Sequence, residues 1–176
     1  MTTFIVLRHA QSTANERGVL AGQLPGVHLT ATGVSEAETV RSALSGRKID
    51  RIFTSPLERC LETVEPLAAN RKLKVVTDNR LIEMNYGRWS GKKLKLLSIR
   101  PLWRTIQSTP SQVRFPDGES FVEMAERVRD LLDSLRRKYP NDSILLVTHG
   151  DITKFRSEEH TSELRHMSES RMPSSA

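Results

Sequence analysis

Two apolar runs of this chain each end in a histidine that opens a polar turn. Residues Thr3–Arg8 are rich in β-branched and aliphatic side chains and give way to His9, while Ser143–Thr148 reads the same way and gives way to His149-Gly150-Asp151. A third such run, residues 49–54, stops at Ser55. Short continuous apolar runs bounded by turn residues read as strands buried on both faces. Such strands belong to a mostly parallel sheet covered by helices, and the sequence supplies amphipathic stretches between them. The expectation is an α/β layered fold. In such sheets a ligand sits beyond the carboxyl ends of the strands, where His9, the Thr54-Ser55 corner and His149 are placed.

The helices are read from caps and periodicity. Ser55, Pro56 and Glu58 form a capping-box pattern, which predicts a helix beginning at Pro56 with an apolar face of Leu57, Cys60, Leu61, Val64, Leu67 and Ala68. Arg59 then falls in its first turn. Residues 72–77 read as a third strand. Ser120 with Glu123 predicts another capping box, opening a long helix whose inner stripe is Phe121, Met124, Ala125, Val128, Leu131, Leu132 and Leu135. Residues 87–118 are less periodic, richer in proline and carry both tryptophans, so they read as an excursion over the site, a small lid.

Composition excludes several classes. A chain of 176 residues with 37% apolar and 27% charged residues can bury a core as one domain, and no run approaches the roughly 18 apolar residues of a membrane span. No membrane association is expected. The first residues, MTTFIVLRHAQS, lack a basic leader and a cleavage site, and the single Cys60 suits a reducing compartment, so a cytoplasmic protein is expected. The net charge of +6 fits a small anionic substrate as well as a polyanion. The cations are scattered and only 5% of residues are aromatic, which argues against nucleic acid as a partner. From Arg156 onward the sequence is polar and aperiodic, and the strings RSEEHTSEL and SRMPSSA resemble translated sequencing-adapter read-through. On that resemblance residues 156–176 are expected to be an unstructured, artefactual tail in which His160 and His166 carry no function. The domain would then be residues 1–155, with a further helix and strand of the native protein missing.

Each candidate functional residue is unremarkable alone. Arg8-His9 could be an ordinary loop pair, Arg59 a surface cation, His149 a capped strand end and Glu83 a solvated carboxylate. Their chemistry is nonetheless complementary. A histidine at a strand end beside backbone amides and an arginine presents a nucleophilic nitrogen where an anion can be held, and the Arg8 charge disfavours the imidazolium form of His9. A cation in the first turn of a helix adds to the positive end of its dipole. Glu83, in a loop with an apolar start, is a candidate general acid with a raised pKa. Gly150 permits close approach of a ligand to the backbone.

The segments LRHAQS, SPLERC, EMNYGRWSG and VTHGD, in this order, resemble the signature segments of the histidine phosphatase (phosphoglycerate-mutase-like) family. The resemblance spans residues 3–154, and the excursion is most similar to an actinobacterial group of phosphomutases. It implies a three-layer α/β sandwich. It implies that His9 accepts the phosphoryl group, that Arg8, Asn15, Arg59 and His149 bind phosphate, and that Glu83 donates the proton. It implies a small phosphorylated substrate, no metal and no cofactor, and leaves the oligomeric state open. Ala10 departs from the glycine usual there, which is tolerable if the backbone is not left-handed. Water as acceptor makes such a site a phosphatase and a substrate hydroxyl makes it a mutase. The motifs do not separate these, and the short excursion favours the phosphatase, with Arg88, Lys92, Lys93 and Arg114 as contacts for further acidic groups. The other readings are a non-catalytic module that binds a phosphorylated ligand, against which an intact Glu83 argues, and a nucleic-acid binder.

Overall fold

The computed structural model describes residues 1–159, with side chains through residue 154. Four parallel strands form one sheet: β1 (Thr3–Arg8), β2 (Arg51–Thr54), β3 (Val75–Thr77) and β4 (Ser143–Thr148), in the order β1-β4-β2-β3. β4 is inserted last, between β1 and β2, and every one of its residues is buried. Its register aligns Arg8 with Thr148 and Thr54 with Val147, so the strands end in one line.

Side-chain alternation along the strands feeds two cores. On one face Phe4, Phe53, Ile144 and Leu146 pack against Met124, Val128, Leu131 and Leu135 of α6 (Phe121–Lys138). On the other, Ile5, Ile52, Leu145 and Val147 pack against Cys60, Val64 and Leu67 of α3 (Glu58–Arg71). This is the expected three-layer α/β arrangement. The capping box at Ser120 and Glu123 closes as read, and the α6 stripe is buried apart from a partly buried Phe121. The remaining helices are α1 (Thr13–Glu16), α2 (Ala31–Ala43), α4 (Leu94–Leu97), α5 (Pro101–Ser108) and α7 (Gly150–Glu159). Among the described residues no helix is long and apolar enough to cross a membrane.

Several local expectations are corrected. The Ser55 capping box does not form: Leu57 is the N-cap, with φ −75° and ψ 141° and no side-chain cap, and the helix starts at Glu58. Pro56 and Leu57 stay outside it because the Ser55 hydroxyl bonds to His149, 2.8 Å away. The second and third strands are shorter than read. Lys72 adopts a left-handed conformation (φ 53°) that closes α3, so β3 begins only at Val75. α2 was not foreseen, since its buried residues are Gly33 and Ala37, small side chains that leave no apolar stripe in the sequence. A Cβ on Gly33 would lie 2.1 Å from the Gln11 carbonyl oxygen, so this helix packs backbone-close to the loop after His9. α7 continues through Glu159, four residues into the segment expected to be unstructured, as the helix-compatible sequence there allows. The rest of that segment, with His160 and His166, lies outside the described residues.

Candidate active site

The end of the sheet carries the site. His9, Ser55 and His149 each follow the last residue of a strand, and the ladder continues through them: His9 N–H donates to the Thr148 carbonyl (3.0 Å) and Ser55 N–H to the Val147 carbonyl (2.9 Å). The two imidazoles meet edge to face, with ring centroids 5.2 Å apart.

His9 is held in one tautomer. Its Nδ1 lies 2.7 Å from the Ala10 carbonyl oxygen, which can only accept, so Nδ1 carries the proton and Nε2 the lone pair. Burial lowers the His9 pKa to about 4, with the charges of Arg59 and Arg8 acting in the same direction and the Ala10 hydrogen bond opposing them. The ring is neutral at neutral pH. Ala10 is buried, its N–H donates to Thr63 Oγ1 at 2.9 Å, and its φ is not positive, so the methyl that replaces the usual glycine hydrogen is accommodated.

Arg59 is the buried cation of the site. It is 2% exposed, and its Nη2 donates to the Gly22 carbonyl at 2.7 Å. Its Nη1 is buried with no hydrogen-bond partner among the described residues. A buried guanidinium with an unspent donor is expensive unless an anion completes it. Arg8 differs: it is exposed at the end of β1, and its guanidinium lies across Gly150, where an added Cβ would sit 3.3 Å from Nε. The backbone approach that Gly150 permits is thus taken up in part by Arg8 itself.

Glu83 is buried rather than solvated. Its backbone carbonyl accepts from Gln23 Nε2 at 2.8 Å and from Arg127 Nη2 at 3.4 Å, and the neighbouring Leu81 carbonyl accepts from Thr148 Oγ1 at 2.7 Å. These bonds pin its loop to α6, to β4 and to the turn that carries Gln23. Burial first and the Asp151 charge second push its pKa well above the carboxylate range, against the Met84 N–H bond and the charges of Arg59 and Arg8. Its Oε2 lies 3.8 Å from His149 Nδ1. His149 is fully buried, its pKa pushed well down by burial and then by Arg59, and its Nε2 is within 2.8 Å of Ser55 Oγ and 3.5 Å of Cys60 Sγ.

Five of the six residues singled out from sequence, Arg8, His9, Arg59, Glu83 and His149, are thereby brought to one end of the sheet. The sixth, Asn15, closes the cap of α1: its Oδ1 accepts from the Ser12 N–H (2.9 Å) and hydroxyl (2.8 Å), which leaves only its amide N–H groups for an anion. Of the four cations assigned to substrate contacts, Arg88 pairs with Asp117 at 2.9 Å and Arg114 with Glu123 at 2.6 Å. Lys92 and Lys93 are exposed and form no ion pair with a described residue. The excursion adjoins the site through Gly91 and Lys92, which exchange backbone hydrogen bonds with Leu20, two residues before the Gly22 that holds Arg59. Sequence reasoning missed Thr63, Gln23 and Tyr86 as members of the site, and nothing in the sequence signals them. Ser55, placed at the ligand end of the sheet by its position after a strand, bonds to His149 rather than capping a helix.

The chain matches one family of known proteins along most of its length. The sequence model of the histidine phosphatase superfamily (branch 1) matches residues 4–164. Phosphoserine phosphatase 1 of Hydrogenobacter thermophilus is 31% identical over 151 residues, covering 85% of this chain and 71% of that protein. A Yersinia enterocolitica protein named as a probable phosphoglycerate mutase is 34% identical over 153 residues, covering 85% and 70%. Among solved structures, mycobacterial glucosyl-3-phosphoglycerate phosphatase in complex with VO3 matches with a TM-score of 0.79 and 28% identity, over 87% of this chain and 79% of that one.

Proposed function

Because the chain belongs to the histidine phosphatase superfamily, we propose that it is a phosphomonoester hydrolase working through a phosphohistidine on His9, with no metal ion. The observation that carries this reading is the juxtaposition of a neutral His9, with its Nε2 lone pair free of the Ala10 bond, and a buried Arg59 whose Nη1 lacks a partner among the described residues. A phosphate dianion supplies what Arg59 is missing, and Arg8, His149 and the amide of Asn15 share its oxygens. His9 Nε2 attacks phosphorus in line as the bond to the leaving oxygen breaks, and Glu83, which holds its proton, gives it to that oxygen. The alcohol departs. Glu83, now a carboxylate, takes a proton from a water that attacks the phosphohistidine, releasing inorganic phosphate and restoring both groups. Two arginines at the site disfavour a cation there.

Residues 87–118 would select the substrate, and Lys92 and Lys93, unlike Arg88 and Arg114, are available to an acidic group beyond the phosphate. Phosphoserine and glucosyl-3-phosphoglycerate, the compounds in the names of two relatives, both carry a carboxylate beside the phosphate ester. The relative named as a mutase supports a second reading, in which a substrate hydroxyl rather than water takes the phosphoryl group.

One assay tests both: phosphate release from a panel of phosphomonoesters in excess chelator, by the wild-type chain and by His9→Ala, each shown to be folded by circular dichroism. Release that survives chelator and vanishes in the variant is expected. Isomerisation of a phosphoglycerate without phosphate release would replace the hydrolase by the mutase, and release that persists in His9→Ala would overturn the phosphohistidine.

A further inference from the structure

The arginine that takes the phosphate and the carboxyl that supplies the proton must stay in register, yet they come from different parts of the chain. Arg59 lies in α3 and Glu83 in the segment that follows β3. One turn bonds to both. The Gly22 carbonyl accepts from Arg59 Nη2 at 2.7 Å, and the next residue, Gln23, donates its side-chain Nε2 to the Glu83 carbonyl at 2.8 Å. The Leu24 N–H closes this turn on the Ala21 carbonyl at 3.1 Å. Gly22 has φ +55°, and a Cβ there would lie 3.0 Å from Ser90 Oγ and from Tyr86 Cδ2, so both the conformation and the fit call for glycine.

We propose that Gln23 is a positioning residue: its amide holds the Glu83 backbone at a fixed distance from Arg59, so that the proton donor stays within reach of the leaving oxygen of a phosphate bound by Arg59. The proposal rests on the phosphatase reading for its kinetic consequence, and on the two hydrogen bonds alone for the placement of Glu83.

A strut works only if its own base is fixed. The stretch after Gln23 is tied to α3 at two points that flank Arg59: Glu58 Oε1 accepts from the Gly26 N–H at 2.9 Å, and Glu62 Oε2 from the Leu29 N–H at 2.8 Å. The turn therefore moves with the helix that carries Arg59. The fold, by contrast, does not depend on the Gln23 bond. Thr148 Oγ1 on the Leu81 carbonyl, Arg127 Nη1 on the Arg80 carbonyl (2.7 Å) and the fully buried Met84 already hold the Glu83 segment against β4 and α6. Arg127 Nη2 reaches the Glu83 carbonyl only at 3.4 Å, and its Nε is committed to Glu119 at 2.7 Å. Of the bonds to that carbonyl, the one from Gln23 is both the shorter and the one that comes from the turn holding Arg59. Losing such a bond costs a fold modestly, whereas a reacting group displaced by about 1 Å can lose on the order of a hundredfold in rate.

The test is Gln23→Met, which keeps the length of the side chain and removes the donor. In the full chain, kcat/KM is measured on an alkyl phosphate and on nitrophenyl phosphate, whose leaving group needs no proton, together with the inhibition constant of inorganic phosphate. On the alkyl ester kcat/KM should fall about tenfold or more, and on the nitrophenyl ester by less than about twofold. Phosphate should inhibit as it does in wild type, because the bond from Arg59 to the Gly22 carbonyl survives. An equal fall on both esters overturns the proposal, since it marks general damage to the site. So does a weakening of phosphate inhibition that matches the loss of rate, which would place Gln23 in the phosphate pocket. Should Gln23→Met not fold, Gln23→Asn, whose amide is one methylene too short to reach, carries the same expectation. A wild-type chain inactive on both esters ends the phosphatase reading, and the placement of Glu83 is then decided by the 13C resonance of its backbone carbonyl. Loss of the Gln23 donor should move that resonance upfield, and an unmoved resonance overturns the proposal.

Discussion

The residues gathered at the sheet end and the excursion over residues 87–118 both carry cations, but in opposite physical states. Arg59 is 2% exposed, one of its nitrogens has no partner among the described residues, and the imidazoles beside it are held neutral by burial. Lys92 and Lys93 are exposed, and around them Leu96 and Ile99 remain 59% and 80% exposed. A charge excluded from water interacts several times more strongly with an anion than one in solvent, and it costs the fold in proportion. On the proposed function the sheet end would hold the chemistry at the expense of stability, and the excursion would adjust binding at little cost to either. Each prediction below would break that division if it failed.

The largest effect belongs to His9. His9→Ala removes the nucleophile and should lower kcat by roughly a thousandfold or more, with no rescue by other groups of the same site. Single-turnover phosphate release measures it. A variant retaining a tenth of the rate would mean that the sheet end binds phosphate without forming a bond to it.

Glu83→Gln comes next. It removes the proton donor and should lower kcat on alkyl phosphates by about a hundredfold or more, with a smaller loss on nitrophenyl phosphate. Its effect on stability has the opposite sign. A carboxyl whose folded pKa is raised contributes stability that is fully present below its unfolded value and is lost as pH rises through the folded one. At pH 8 Glu83→Gln should therefore melt higher than wild type, and at pH 4.5 the difference should shrink toward zero. A variant less stable at pH 8 would show that Glu83 holds the fold together rather than straining it.

Acid titration tests the same trade at His9. Its folded pKa is depressed to about 4, so its contribution to stability is present above about 6.5 and is lost as pH falls from there toward 4. The full span is about 3 kcal/mol. Glu83 acts in the other direction over part of this range, so the quantity to measure is the difference between wild type and His9→Gln in urea melts at pH 7 and pH 4.5. That difference should move in favour of the variant on acidification, because glutamine takes up no proton.

How much of this was legible in the sequence follows from the same division. Buried strands and capped helices announce themselves by local pattern, so β1, β4, α6 and the inner face of α3 could be read directly. The five residues Arg8, His9, Arg59, Glu83 and His149 were legible as a set because four segments occur in family order. Two kinds of feature were hidden. α2 packs through glycine and alanine, which leave no hydrophobic period to find. The tertiary hydrogen bonds that assemble the site span large sequence separations: Ser55 to His149, Thr63 to Ala10, Gln23 to Glu83 and Tyr86 to Asp151. Ser55 shows the cost, since Ser-Pro-Leu-Glu carries a locally sound capping pattern and the distant histidine takes the hydroxyl instead. Likewise Glu83 lies in a polar-looking loop that is buried because Met84, Tyr86 and Trp89 turn into the core.

The smallest effect is expected on the excursion. Lys92→Ala and Lys93→Ala should leave the melting temperature within about a degree of wild type, because exposed cations without ion-pair partners add little to stability. On a phosphomonoester bearing a carboxylate the double variant should raise KM several-fold with kcat unchanged, while on a phenyl phosphate lacking that group KM should hardly move. The KM effect should also fade between low salt and about 0.5 M salt, since exposed charges more than a few ångströms from their target are screened over that range. Loss at Arg59 should resist salt, because the guanidinium and the phosphate it would hold are out of reach of counterions. A fall in kcat on Lys92→Ala, or a KM effect indifferent to salt, would place that lysine inside the water-excluded site, and the boundary between the two regions would have to be redrawn to include the turn of Gly91 and Lys92 that bonds to Leu20.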